Sequence, residues 1–106
     1  MATSDETLIA EAARRLAKAA PDAQVILFGS HARGEAGPGS DLDLLVIEPQ
    51  LESRRAEFVR LREALGAIGV PVDLIVVSSE HVAKRGGVQG TMVSEALREG
   101  RVLARP

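Results

Sequence analysis

Two aspartates flank one leucine at Asp41-Leu42-Asp43, and a third acid, Asp73, opens a later apolar run, PVDLIVV. On an extended strand, residues two apart point the same way, so Asp41 and Asp43 project side by side. Carboxylates that close resist ionising together unless a cation joins them. The set suits Mg²⁺, which takes one or two carboxylates and fills its shell with water and phosphate oxygens. Asp73 stands near the start of its strand, as Asp41 and Asp43 stand near the start of theirs. If those strands are parallel neighbours, all three acids meet at one end of a sheet. Three carboxylates can hold two metal ions about 3.5–4 Å apart, one to activate an attacking oxygen and one to steady a leaving one. Upstream, Gly29 permits close backbone approach to a ligand, and Ser30 opens a short helix whose free N–H groups favour an anion. An anion turn beside a metal-binding acid cluster is what nucleoside triphosphate chemistry requires. His31 and Arg33 bring positive charge to the same stretch.

Each feature also has an ordinary use. A Gly-Ser pair is commonly a turn, an Asp-x-Asp a solvated strand start, and a lone Arg or His a surface residue. Their convergence on one sheet end carries the chemical reading, so the elements must put them there. Thr3 and Glu6 are spaced as a capping box, and Leu8, Ile9, Ala12, Leu16 and Ala19 recur at helical spacing. Val25 to Phe28 is a short continuous apolar run, the pattern of a buried strand. Gly34 to Ser40 is a loop by composition. Asp41 to Glu48 forms the second strand. Leu51 to Leu65 follows as a helix whose stripe is Leu51, Phe58, Leu61 and Leu65. The third strand runs roughly from Val72 to Val77, with Ser79 as N-cap of a short helix through Lys84. A last helix follows Gly90, and Val102-Leu103 makes a short final strand. The long helix between strands two and three predicts a parallel crossover. The short link between strands one and two predicts an antiparallel pair. The fold class is therefore α/β (α+β), a small mixed sheet flanked by helices, in one domain over residues 1–106.

Composition narrows the function. Phe28 and Phe58 are the only aromatic residues, so the stacking platforms of single-strand nucleic-acid binders are absent. The net charge is −2 with no polybasic run, which excludes the footprint of a duplex DNA binder. No cysteine is present, which removes disulfides, thiolate metal sites and cysteine nucleophiles. No signal-peptide pattern or membrane-length apolar stretch appears, so a cytoplasmic location is expected. The arginines at 54, 55, 60 and 62 read as a solvated helix face, and HVAKRGG as a solvated turn at the sheet end away from the acids.

The stretch GSHARGEAGPGSDLDLLV, Gly29 to Val46, closely resembles the signature of the nucleotidyltransferase superfamily that includes DNA polymerase beta, and most of all its small stand-alone branch, the minimal nucleotidyltransferases. The resemblance runs over nearly the whole chain and implies the nucleotidyltransferase fold. By position it implies that Gly29 and Ser30 contact nucleotide phosphates, with Arg33 in the Ala-Arg-Gly segment serving a phosphate too. Asp41 and Asp43 match the metal-binding pair. Asp73 matches the third acid, which binds metal or activates the acceptor hydroxyl. Ser40 matches the small polar residue that positions the first aspartate. Position 31, often Arg in such proteins, is His in this chain. The implied cofactors are two Mg²⁺ ions, with Mn²⁺ as the substitute, and ATP is the implied substrate. No acceptor domain is visible, so the acceptor surface comes from a partner, a second copy or the substrate itself. The branch is commonly encoded beside a small helical HEPN-type partner, and as an antitoxin it can attach AMP to a toxin tyrosine. The rival readings are a docking module that neutralises a partner by occlusion and a nucleotidyltransferase acting on a small molecule such as an aminoglycoside.

Overall fold

The computed structural model describes residues 5–37 and 39–106. Thr3 lies outside them, and with it the expected capping box. Nine elements follow in order: α1 (Asp5–Ala19), β1 (Gln24–Phe28), α2 (Gly29–Arg33), β2 (Leu42–Glu48), α3 (Arg54–Leu65), β3 (Val72–Ser78), α4 (Ser79–Arg85), α5 (Met92–Glu99) and β4 (Arg101–Ala104). The four strands form one mixed sheet in the order β3-β2-β1-β4. β1 runs antiparallel to β2, and β2 and β3 are parallel, as the connection lengths predicted; β4 pairs antiparallel on the other side of β1, a placement that the sequence reading did not make.

The aliphatic core divides between the two faces of this sheet. Val25 and Leu27 of β1 and Leu44 and Val46 of β2 face α1 and α3, whose Leu16, Leu61 and Leu65 are fully buried. Ile26, Phe28, Leu45, Ile47 and Val77 pack on the opposite face beneath Val93 and Ala96 of α5. β2 is central and buried on both faces from Leu44 to Ile47, which explains its unbroken apolar run. Asp43 shares the parity of Leu45 and Ile47, so it lies on the α5 face.

Several sequence expectations need correction. The third helix begins at Arg54 with Ser53 as its cap, whose hydroxyl accepts from Ala56 N–H at 3.1 Å. Leu51 precedes that helix but still packs against the core. Phe58 is 39% exposed, because α3 buries only Leu61 and Leu65 and turns position 58 toward the open edge of the sheet. Ser78 rather than Ser79 caps α4, accepting from His81 N–H at 3.0 Å. The arginine face of α3 is only partly solvated. Arg60 donates to Ala19 O at 2.8 Å, tying α3 to the end of α1, and Arg62 donates to Val72 O at 2.9 Å, tying it to β3.

Where β2 ends, Glu48 meets Glu57 and Arg60 of α3. Arg60 grips Glu57 with both Nε and Nη2, at 2.7 and 2.6 Å. That grip holds the Glu57 carboxyl down at about 2. Burial, followed by the hydrogen bond and negative charge of Glu57, pushes Glu48 up to about 7. Glu48 Oε2 is buried and has no hydrogen-bond partner among the described residues. A proton on Glu48 resolves the conflict, since the acid can then donate to ionised Glu57. The folded state thus favours protonated Glu48, and the associated stability is present below the ordinary carboxylate range and is lost as pH rises through about 7. Thermal melts should show a midpoint that falls between pH 5 and pH 8 in the wild type. In Glu48→Gln that slope should largely vanish. An unchanged slope would place the pH dependence elsewhere.

Candidate active site

The site forms where β1 ends and β2 and β3 begin. Phe28 pairs with Asp43 across the antiparallel β1–β2 ladder, and Asp43 pairs with Asp73 across the parallel β2–β3 ladder. Side chains in register on adjacent strands share a face about 5 Å apart. Asp43 and Asp73 therefore stand side by side on the α5 face. Asp41 lies two residues before Asp43, just ahead of β2, and is exposed. Burial first, then the charge of Asp73 and a hydrogen bond with it, and then the charges of Asp41 and Glu95 raise the Asp43 carboxyl above its ordinary value. The structure brings Asp43 and Asp73 together as a pair, with Asp41 acting on Asp43 through its charge. Among the described residues no three such groups are already closed into a metal cage.

A bare carboxylate pair with one member, Asp43, partly buried is electrostatically costly. A divalent cation between the two removes that cost, so this donor set fits a hard, oxygen-seeking metal such as Mg²⁺. The backbone at Gly29 supports the same fit. Its φ is +72°, and a Cβ built there would overlap Oδ2 of Asp43. The missing side chain lets the turn after β1 press directly against the acid. The short helix α2 starts at this glycine, one residue earlier than expected, and its first N–H groups receive no side-chain cap. Ser30 is the next residue, partly exposed on the same rim.

The loop between α2 and β2 is held from both ends. Ser40 Oγ accepts from Gly37 N–H at 3.0 Å, a bond within the loop. The His31 side chain is 5% exposed, its Nε2 lies 3.1 Å from Ser40 O, and its Nδ1 lies 4.0 Å from Asp5 of α1. His31 is therefore an internal strut. It ties the turn that carries Gly29 and Ser30 to the residue immediately before Asp41. His31→Ala should cost about 1–2 kcal/mol of stability, the scale of a lost buried hydrogen bond. Denaturant titration checks this, and a change within error would show that the strut carries no load.

Arg33 stands at the rim, but carboxylates hold its guanidinium. Glu35 lies at 3.0 Å, Glu95 at 3.1 Å and Glu99 at 3.7 Å. It fastens α2 to α5, and in this arrangement its charge is directed at the acids of α5. Glu95 is the site residue that the sequence reading missed. It sits near Asp43 only because α5 folds back over the sheet, and no local motif announces that return.

A family profile described as nucleotidyltransferase domain matches residues 8–103. The chain is 36% identical over 75 residues to the protein adenylyltransferase MntA of Thermococcus cleftensis, a match spanning 70% of this chain and 71% of that protein. Two solved structures share the fold. A Sulfolobus solfataricus protein assigned as a nucleotidyltransferase superposes with a TM-score of 0.63 at 20% identity, over 92% of this chain and 78% of its own. A toxin–antitoxin structure with AMP-PNP gives a TM-score of 0.63 at 20% identity, over 97% of this chain and 75% of its own.

Proposed function

The chain belongs to the nucleotidyltransferase family, and from that membership we propose that it transfers AMP from ATP to a hydroxyl on a partner protein, acting in the cytoplasm as the antitoxin of a toxin–antitoxin pair whose toxin is a small helical HEPN-type protein. The observation that carries this reading is the in-register Asp43–Asp73 pair abutting the bare backbone of Gly29. The relative named as a protein adenylyltransferase and the toxin–antitoxin neighbour with AMP-PNP support the choice of donor and acceptor.

In this proposal Asp41, Asp43 and Asp73 would hold the two Mg²⁺ ions. Divalent metal, when bound, offsets the triphosphate's negative charge and lowers the pKa of an oxygen that it touches. The residues of the chain do the rest. Backbone N–H groups at Gly29 and Ser30 receive the β- and γ-phosphate oxygens, which leaves the α-phosphorus facing the acids. The Asp73 carboxylate accepts the proton of the attacking hydroxyl. The hydroxyl oxygen bonds to the α-phosphorus, the bond from that phosphorus to the bridging oxygen breaks, and pyrophosphate leaves. Asp43 is the acid that interacts with both of the others, in register with Asp73 and within reach of the charge of Asp41.

The test uses the purified protein, a co-encoded partner and ATP labelled in turn at the α- and the γ-phosphate, with Mg²⁺. Label from α-ATP should become acid-stable on the partner while γ-label appears only in pyrophosphate. Transfer of the γ-label to the partner would make the reaction a phosphorylation and defeat the proposal.

A further inference from the structure

The two edges of the sheet are treated differently. β4 is four residues long, and its pairing with β1 is interrupted by a register shift between Val25 and Ile26. Short, bulged edges resist further strand pairing. β3 is the opposite edge, seven residues in unbroken register with β2 and apolar from Leu74 to Val77. Arg62 occupies one exposed carbonyl at its start, that of Val72; Asp73 follows, and no charge or proline interrupts the strand from Leu74 to Ser78. Beside this edge lies an open groove of about 340 Å³, floored by Val76 and walled by Phe58, Arg54 and Arg55 of α3. Among the described residues neither the Arg54 nor the Arg55 guanidinium has an ion-pair or hydrogen-bond partner. Both occupy the first turn of α3, the positive end of the helix dipole, where cations are disfavoured. An arrangement that breaks a local rule on a surface points to use.

We propose that the β3 edge and the Phe58 groove form a docking site for an extended, acidic segment of the partner protein, which adds to the sheet as a fifth strand. Strand addition draws affinity from main-chain hydrogen bonds and specificity from pockets for alternate side chains. Here the pocket is apolar with an arginine rim on the same face of the sheet, so the face of the segment turned to α3 carries an aliphatic residue with Asp or Glu two positions to either side. A second copy of this chain is a poor occupant. Antiparallel pairing about a two-fold axis would set α3 against α3 and bring the arginine rims together. The position also serves the chemistry. β3 begins at the end of the sheet that carries Asp73, so a segment laid along it is led to the acids. This step rests on the proposed transfer to a partner protein.

The experiment uses the full chain without ATP and a fluorescein-labelled peptide, Thr-Glu-Thr-Val-Thr-Glu-Thr, whose Glu, Val and Glu share one face, with a Lys-for-Glu peptide as control. The acidic peptide should bind saturably by anisotropy, shift the amide resonances of residues 72–78 in ¹⁵N spectra, and bind at least about tenfold more weakly to the doubly substituted Arg54→Glu, Arg55→Glu protein. Asp43→Asn should bind it unchanged. Docking that persists when transfer is never seen would sink the catalytic proposal and keep this one. Equal binding of both peptides, no shifts on β3, or transfer to the true partner undiminished in the doubly substituted protein would overturn it. A wild-type dimer by sedimentation equilibrium that the two substitutions dissolve would give the edge to a second copy and overturn it as well.

Discussion

Asp43→Asn should abolish nucleotidyl transfer and at the same time raise the melting temperature of the metal-free protein. The two effects share one cause. Asp43 is partly buried beside Asp73, with Asp41 and Glu95 adding negative charge, so the folded state disfavours its ionised form. Asparagine keeps the shape and removes the charge, and the repulsion goes with it. The same charge is what a divalent cation and a triphosphate need. Loss of one preorganised electrostatic group commonly lowers turnover by roughly 10²–10³. Here the central member of the set is removed, so a loss at the upper end is expected. The wild type should gain stability when Mg²⁺ and a non-hydrolysable ATP analogue are added, because ligands that bind only the folded state raise its melting temperature. The variant should gain much less. Full neutralisation of the partner by Asp43→Asn would favour occlusion over catalysis. A lower melting temperature in the variant would show that the carboxylate is a structural hydrogen-bond acceptor and that its repulsion is negligible.

Much of this site was legible because it is written locally. The Asp-x-Asp spacing has one consequence on a strand, and the parallel β2–β3 pairing followed from the long connection through α3. Those two facts bring Asp43 and Asp73 side by side without knowledge of any distance, whereas Asp41 lies just ahead of β2, where strand alternation does not reach. The short link from Gly29 to Asp41 likewise predicted the antiparallel β1–β2 pair. Features that depend on how helices return to the sheet were not legible. Phe58 satisfies a helical stripe by spacing, yet the sheet ends at β3, and nothing covers position 58 there. Glu95 and Glu99 look like surface charges on an amphipathic helix. Only the packing of α5 over β1 turns them toward Arg33. Likewise, His31 reads in sequence as a surface residue, and burial between α1 and the loop makes it a strut. Periodicity reports which side of an element is apolar. It does not report what lies beyond the end of a sheet.

Gly29→Ala should also lose most of its transfer activity, but with the opposite effect on stability from Asp43→Asn. A methyl group at position 29 meets two obstacles. The backbone sits at φ +72°, a left-handed conformation that costs an L-residue about 1–2 kcal/mol. In addition, the new Cβ would overlap Oδ2 of Asp43, so either the turn or the carboxylate must move. Asp43 belongs to the central strand, whose neighbouring residues are buried on both faces, so its backbone has little freedom. The side chain or the α2 turn gives way instead, and either shift separates the phosphate cradle from the acids. Misplacement by about 1 Å is enough to lower a rate by about 10²-fold. Transfer should therefore fall at least that far, and the melting temperature should drop. Combining Gly29→Ala with Asp43→Ala separates the two obstacles. The double substitution removes the overlap but leaves the backbone strain, so it should recover part of the lost stability and none of the activity. Non-additivity of that sign in a double-mutant cycle reports direct contact between the two positions. Strict additivity would mean that Gly29 and Asp43 do not press on each other, and the close approach of turn to acid on which the proposed site depends would be lost.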